Sequence, residues 1–212
     1  MRKALAALDS YYNTEFLNAI QCQPTFPYRN FYVAFGEDAA RVSFTYISQP
    51  HSSKLVFFCK TADDQPICVK FVKRYSVEAH TACANDDFAP ELLAVNHLPG
   101  GWLMVVMVQI NVGDYTSFEP RLGLEPVINE RVTQLHQKGF VHGDIRRENI
   151  LVHRIERSKF LMVDFDWAGR IGDVRYPPNV NRGLGLWRPT DARDGEIILA
   201  DHDLQMIAAL FQ

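Results

Sequence analysis

Cysteine is scarce in this chain. The four present (Cys22, Cys59, Cys68, Cys83) form no CxxC pair and show no metal-ligand spacing. That excludes a disulfide framework and a cysteine zinc site, and leaves ordinary thiols of a reducing compartment. No apolar run approaches the roughly 20 residues of a membrane span. After Met1-Arg2-Lys3, the stretch Ala-Leu-Ala-Ala-Leu stops at Asp9, too short for the core of a signal peptide. The expectation is an intracellular chain, cytoplasmic or nuclear, with no membrane partner. A basic bias is missing too. Net charge is -3, with 9 basic and 10 acidic residues through Val108 and 13 and 15 after it. Neither half offers the basic face of a nucleic-acid binder, so no nucleic-acid partner is expected. Repeats and low-complexity segments are also lacking. What is present is 212 residues, 47% of them hydrophobic, enough to bury a sizeable core in one two-lobed unit.

The periodicities divide the chain in two. Leu5, Leu8, Tyr12, Phe16, Leu17 and Ile20 recur at helical spacing and predict a leading amphipathic helix over Arg2–Ile20. Gln21–Asn30, with Pro24 and Pro27, reads as a connector. Strands are predicted at Phe31–Phe35, Val42–Ile47, Leu55–Cys59, Ile67–Val72, Leu92–Val95 and Trp102–Val108, with a short helix after Tyr75. Lys70 lies within an apolar strand, and a desolvated lysine requires an anion; a place on a solvent-facing edge is the plainer alternative. Glu78, eight residues on, is its natural partner, unless it is simply a surface glutamate. The second half predicts one helix over Pro126–Gly139, with Pro126 in the tolerant first turn and Gly139 as its cap. An irregular Gly/Pro/Arg-rich loop follows over Arg170–Pro189, and a last helix over Leu199–Phe211. Nine arginines between Arg146 and Arg193 either receive an anionic substrate or neutralise acidic neighbours.

The stretch from Val141 to Trp167 carries the chemistry. A His142-Gly143-Asp144 turn is followed by Asn149, a short apolar strand, a polar turn, a second apolar strand and Asp164-Phe165-Asp166. Phosphoryl transfer needs such a set: Asp144 to accept a proton from a substrate hydroxyl, Asn149 and Asp164 to hold the magnesium that bridges nucleotide phosphates. Arg146, two positions after Asp144, offers a fixed positive charge for the transferring phosphate. His142 reads as a structural hydrogen bonder behind the site. In the plainer alternative, Asp144 is a turn residue, Asn149 a strand-end hydrogen bonder and Asp164 a helix cap. Asp203, in the last helix, is placed to hold the backbone of the His-Gly-Asp turn from beneath.

Taken together, Val69-Lys70-Phe71, Tyr75 to His80, Phe88-Ala-Pro-Glu-Leu-Leu93, Val141 to Val152, Val163-Asp-Phe-Asp-Trp-Ala-Gly169, Arg175-Tyr-Pro-Pro178 and His202-Asp203 resemble the protein-kinase-like superfamily. More narrowly they resemble the fungal-type protein-kinase-like family. The resemblance covers about Phe44 to Phe211. His-Gly-Asp in place of His-Arg-Asp is also similar to aminoglycoside and choline phosphotransferases and to RIO-type kinases. The resemblance implies a bilobal α+β fold, with residues 1–108 as an antiparallel-sheet N-lobe carrying one helix and 109–212 as a reduced, mainly helical C-lobe. It implies ATP and Mg2+ as cofactors. Lys70, held by Glu78, would grip phosphates, backbone around Val108 to Ile110 would meet the adenine, and Asp144, Arg146 and Asn149 would serve catalysis. Asn149, Asp164 and Asp166 would hold metal.

Four departures accompany it. The turn Ser48–Lys54, where a glycine-rich loop belongs, has no glycine, so close backbone approach to phosphates is not provided for. Asp166 replaces the usual glycine after Phe165. Gly143 replaces the arginine that normally precedes the catalytic aspartate, and the loop offers only Tyr176 and Thr190 as acceptors, so activation by loop phosphorylation is not expected. Trp187-Arg-Pro-Thr190 does not read Ala-Pro-Glu, and the chain stops within the first large C-lobe helix. Three functions stay open on these residues: transfer of the ATP γ-phosphoryl group to a hydroxyl, chiefly of a protein Ser/Thr; a pseudokinase or interaction module; and a small-molecule phosphotransferase.

Overall fold

The computed structural model describes residues 29–36, 40–183 and 186–212. The expected leading helix and most of the connector after it lie outside the described residues. Residues 31–212 form one compact unit. Its first part is a six-stranded antiparallel sheet of β1 (Phe31–Val33), β2 (Arg41–Ser48), β3 (Val56–Thr61), β4 (Pro66–Val72), β5 (Leu92–Leu98) and β6 (Trp102–Val108), in the order β1-β2-β3-β4-β6-β5. Each expected strand is present, with ends that agree or shift by at most three residues. β4 shows how pattern becomes placement. Ile67, Val69 and Phe71 alternate onto a buried face, which leaves Lys70 on the opposite face beside Cys68. Lys70 is paired across to Val56 of β3 and Val105 of β6, so it sits mid-sheet rather than on an edge.

Helix α1 (Val77–Asn85) follows β4. Ser76 caps it: its hydroxyl accepts the Ala79 N–H at 3.3 Å. Ala79, His80 and Cys83 face inward. Helix α2 (Leu124–Gln137) begins two residues earlier than the proline suggested, with Pro126 still inside the first turn, where no intrahelical N–H bond is lost. At its other end Gly139 takes φ +85° and returns its N–H to the His136 carbonyl at 2.9 Å, the cap expected of it.

The two apolar strands expected between Asn149 and Asp164 are present, whereas three other short strands, those at residues 115–117, 140–141 and 169–170, went unforeseen because two or three residues carry no measurable period. β7 (Tyr115–Ser117) joins β9 (Ile150–His153) and β10 (Phe160–Met162) in the order β10-β9-β7, and β8 (Phe140–Val141) pairs with β11 (Gly169–Arg170). Helix α3 (Ala200–Leu210) closes the chain. Leu124, Ile128, Val132 and Leu135 of α2 bury one face against Ala79 and Cys83 of α1, Ile150 and Val152 of β9, and Met206, Ile207 and Leu210 of α3. Full burial of each large aliphatic contributes about 1.5–3 kcal/mol. This core fixes the loops between β8 and β11, where the polar side chains gather.

Candidate active site

The turn after β8 is held from below. Asp203, fully buried on α3, accepts the Gly143 N–H on Oδ1 at 2.8 Å, and the His142 N–H at 2.8 Å and His136 Nε2 at 3.0 Å on Oδ2. Gly143 needs its missing side chain. Its φ is +77°, and a Cβ there would stand 2.8 Å from Ile198 Cδ1 and 3.3 Å from the Trp167 carbonyl oxygen. The departure from arginine is thus a packing requirement of this turn. His142 is buried, with Nε2 3.2 Å from the Val163 carbonyl and Nδ1 accepting the Asp144 N–H at 3.3 Å.

The turn presents Asp144, which is 4% exposed. Asn149 Nδ2 donates to the Asp144 carbonyl at 2.8 Å and to its Oδ2 at 2.9 Å. With its amide nitrogen spent, Asn149 keeps its side-chain oxygen as an acceptor, and its carbonyl takes the Val163 N–H at 3.0 Å, tying this loop to the one bearing Asp164. Arg146 Nε lies 3.2 Å from Asp144 Oδ2 as a charge neighbour; its direction is too oblique for a hydrogen bond. Arg188 Nη2 donates to Asp144 Oδ1. No sequence pattern singled out Arg188 among the nine arginines. The only available signal was that a buried carboxylate requires compensation.

Across the site, Lys70 Nζ lies 2.6 Å from Asp164 Oδ1 and 2.6 Å from Asp166 Oδ1. Burial works against the ammonium, but the two carboxylates outweigh it and raise Lys70 above its ordinary value. Burial also works against an ionised Asp164; charge and hydrogen bonding from Lys70, with His142 and Arg146 farther off, overcome it and hold that carboxyl low. Asp166 goes the other way. Burial, reinforced by the Asp164 charge, exceeds the pull of Lys70 and pushes Asp166 up to about 6. Asp164 adopts φ +72°, a left-handed conformation that Asp tolerates better than most residues. Between the two acids, Phe165 is fully buried, stacked on His80 (4.6 Å between centroids, 5° between planes) and edge-on to His142 at 5.1 Å. His80 Nε2 donates to the Pro90 carbonyl at 2.7 Å, which leaves Nδ1 to accept from the Tyr75 hydroxyl at 2.6 Å. Burial lowers its pKa to about 4, and it is neutral.

Two expectations require correction. Glu78 does not hold Lys70: it is exposed, and the cation is held by Asp164 and Asp166 instead. Helical rotation is the reason. Ala79, His80 and Cys83 take the inward face, and Glu78, two residues before His80, is turned about 200° from it. Val108 and Ile110 are not brought to the Lys70 cluster either. Their side chains line a cavity of about 760 Å³ with Phe88, Tyr115, Arg131 and Phe160, and neither Lys70 nor Asp164 borders it. The Val108 and Gln109 N–H groups are committed to the Glu91 and Pro66 carbonyls at 2.9 and 3.3 Å.

The turn Ser48–Lys54 is closed by its own polar groups rather than by glycine. Gln49 Nε2 donates to the Lys54 carbonyl at 2.9 Å, and the Lys54 N–H to His51 at 3.0 Å. In the long loop, Tyr176 is buried with its hydroxyl 3.0 Å from His202 Nδ1, whereas Thr190 is exposed. Among the described residues no three His, Cys, Asp or Glu side chains converge as a metal cluster. The oxygen donors nevertheless suit a hard cation. Asp164 and Asp166 already converge on one positive charge, with the Lys70 ammonium as the stand-in, and Asn149 has a side-chain oxygen to spare. No helix among the described residues is long and apolar enough to cross a membrane.

No family model matches the chain. The B1 kinase of vaccinia virus (strain Western Reserve) is 25% identical over 93 residues, 41% of this chain and 30% of that protein. The B1 kinase of monkeypox virus matches over the same extent. The match thus spans about a third of the length of these relatives. Among solved structures, the Cydia pomonella granulovirus kinase PK-1 superposes with a TM-score of 0.61 at 17% identity, covering 79% of this chain and 68% of that one. Vaccinia related kinase 3 superposes with a TM-score of 0.58 at 13% identity, covering 96% and 72%. The antiparallel sheet, the helix that follows β4 and the helical part behind the His-Gly-Asp turn give this chain the bilobal α+β fold of protein kinases.

Proposed function

We propose that the chain is an ATP- and Mg2+-dependent phosphotransferase that moves the γ-phosphoryl group to a hydroxyl, the acceptor being a protein Ser/Thr. Within the superfamily, we place it nearest the fungal-type protein-kinase-like family on the motifs from Val69 to Asp203. The observation that carries the function is the convergence of Lys70, Asp164 and Asp166 at 2.6 Å contacts on one side, with Asp144 and Asn149 hydrogen-bonded to each other on the other. Asp164, Asp166 and Asn149 would hold magnesium, which supplies charge neutralisation for the nucleotide phosphates. On binding the nucleotide, Lys70 would exchange a carboxylate for a phosphate oxygen. Asp144 orients the acceptor hydroxyl and takes its proton, and Arg146 adds fixed positive charge where negative charge accumulates.

A second reading, a pseudokinase or interaction module, draws on a specific pair of observations: the glycine-free turn at Ser48–Lys54 and the exposed Glu78. Thermal unfolding with Mg-ATP, ATP alone and neither separates the two. Saturation at a hundred times the dissociation constant adds about 2.7 kcal/mol, which in a chain of this size raises the midpoint by roughly 5–10 °C. A magnesium-dependent rise lost in Asp164→Ala, together with transfer from ATP lost in Asp144→Asn, is the expected result. No rise at millimolar nucleotide would give the second reading the lead. Peptide libraries run beside metabolite pools then identify the acceptor class, metabolite transfer being the outcome that favours a small-molecule enzyme.

A further inference from the structure

Arg188 is the most completely enclosed cation among the described residues near the site. Its side chain is 1% exposed. Nη2 donates to Asp144 Oδ1, and Nε donates to the Asn181 carbonyl at 3.0 Å. Nη1 lies 3.6 Å from Met206 Sδ, and the guanidinium carbon stands 4.5 Å from the Trp167 ring centre. One side chain therefore joins the catalytic turn, the loop after Asp166, the long Arg-rich loop and helix α3. We propose that Arg188 is a positioning residue for phosphoryl transfer, one that fixes which oxygen of Asp144 receives the acceptor hydroxyl. The proposal rests on the phosphotransferase reading above.

An ionised carboxylate has about four acceptor sites. Asn149 Nδ2 donates to Oδ2 at 2.9 Å, the Arg146 guanidinium stands 3.2 Å from that same oxygen without a hydrogen bond, and Arg188 donates to Oδ1. Oδ1, with one neighbour against two, is the less crowded oxygen and offers the acceptor hydroxyl its free lone pair. Clamped at both oxygens, the group cannot turn about its Cβ–Cγ bond, so the remaining lone pair keeps one direction. In the reaction, the acceptor oxygen forms its bond to the γ-phosphorus as the bond from that phosphorus to the β-γ bridging oxygen breaks. ADP leaves with the electron pair, and the hydroxyl proton passes to Asp144 Oδ1.

A latch that merely blocks the base is the opposite idea, and the surroundings of Arg188 disfavour it. Leaving would strand a buried carboxylate and take the cation off an aromatic face. The segment also links inside to outside. Next to the enclosed Arg188, Trp187 is 50% exposed and borders a cavity of about 180 Å³ together with Arg146, Arg147 and Leu210. An acceptor resting against Trp187 would thus press on the residue that aims the base.

The test compares wild type, Arg188→Met and Arg188→Lys in steady-state transfer from ATP to a Ser/Thr peptide library, with the Mg-ATP thermal shift measured on the same preparations. Arg188→Met is expected to lower kcat about 100-fold, the effect of a misplaced catalytic group, with KM for ATP and the thermal shift unchanged. Arg188→Lys, whose ammonium reaches Oδ1 but has no guanidinium plane, is expected to recover part of the loss. Wild-type or faster turnover in Arg188→Met overturns the proposal, and so does a kcat loss accompanied by loss of the nucleotide shift. If Arg188→Met does not fold, Arg188→Lys decides: reduced kcat at unchanged KM supports the role, and wild-type kcat overturns it. A wild type with neither shift nor transfer removes the phosphotransferase reading itself, a different pattern from an active enzyme indifferent to Arg188.

Discussion

The two sides of this site are built to different tolerances. Around Asp144, the polar groups are enclosed and almost fully assigned: Asp203 takes three donors, Asn149 spends its amide nitrogen, and Arg188 is 1% exposed. Around Lys70, the helix glutamate faces solvent and the turn that should cover phosphates is sealed by Gln49. Lys70 is instead held by two acids of a single loop. The difference teaches where binding energy must act. On the phosphotransferase reading, the acceptor side is preorganised by folding, whereas the nucleotide side would have to exchange partners when its ligand arrives.

The largest effect should come from the enclosed side. Asp203→Ala removes a buried acceptor and leaves the His142 and Gly143 N–H groups and His136 without it. The expected cost is about 3–5 kcal/mol, the range for breaking a buried charged network. Urea unfolding monitored by tryptophan fluorescence would measure it. A loss below 1 kcal/mol would mean that the turn is not held from α3, and the contrast between the two sides would lapse.

Next comes a pair of opposing titrations that sharpen the contrast. His80 has a folded pKa of about 4 against an ordinary 6.5, so the unfolded chain binds more protons between them and stability falls as pH drops from 6.5 toward 4. Asp166 has a folded pKa of about 6 against 3.8, so the folded chain binds more protons and stability falls as pH rises from 3.8 toward 6. Each shift corresponds to roughly 3 kcal/mol at 1.36 kcal/mol per unit. Between pH 4 and 6 the two slopes cancel. Wild type should therefore show only a shallow dependence there from these groups. Asp166→Asn should uncover the acid lability of His80, and His80→Gln should uncover stability that declines with rising pH. Chemical denaturation at pH 4.5, 5.2 and 6 checks both signs, and parallel curves in the two variants would refute the assignment.

Gly143→Ala should cost somewhat less, on the order of 1–3 kcal/mol, from a left-handed backbone and a contact against Ile198. Ile198→Ala in the same chain should return part of it. An additive double mutant would show that the strain lies in the backbone and not in the crowding.

How much of this was legible follows from the range over which each cause acts. Among the described residues, the longer strands and helices were readable, as were the nearness of Asn149 to Asp144 and the Asp203 brace, because motif spacing or one helix face determined them. β7, β8 and β11 were too short to show a period. Arg188 was hidden because its partner lies 44 residues away, and only the fold selects it from nine arginines. Glu78 misled for the same reason: spacing along the chain put it near Lys70, but the phase of α1, set by burying Ala79, His80 and Cys83, turned it outward.

That phase yields the smallest and most discriminating prediction. An exposed helix glutamate with no ion-pair partner among the described residues contributes little, so Glu78→Gln should change stability by less than about 0.5 kcal/mol and leave the Mg-ATP thermal shift intact. Asp166→Asn, in contrast, removes one of the two negative charges that hold Lys70 and should diminish the shift. The reverse pattern would carry more weight than either result alone. Were Glu78→Gln to abolish the shift while Asp166→Asn spared it, α1 would have to rotate by about half a turn on nucleotide binding to bring Glu78 inward. His80 would then leave Phe165, and the nucleotide side would prove to be a switch built on one helix rather than a loose counterpart of the acceptor side.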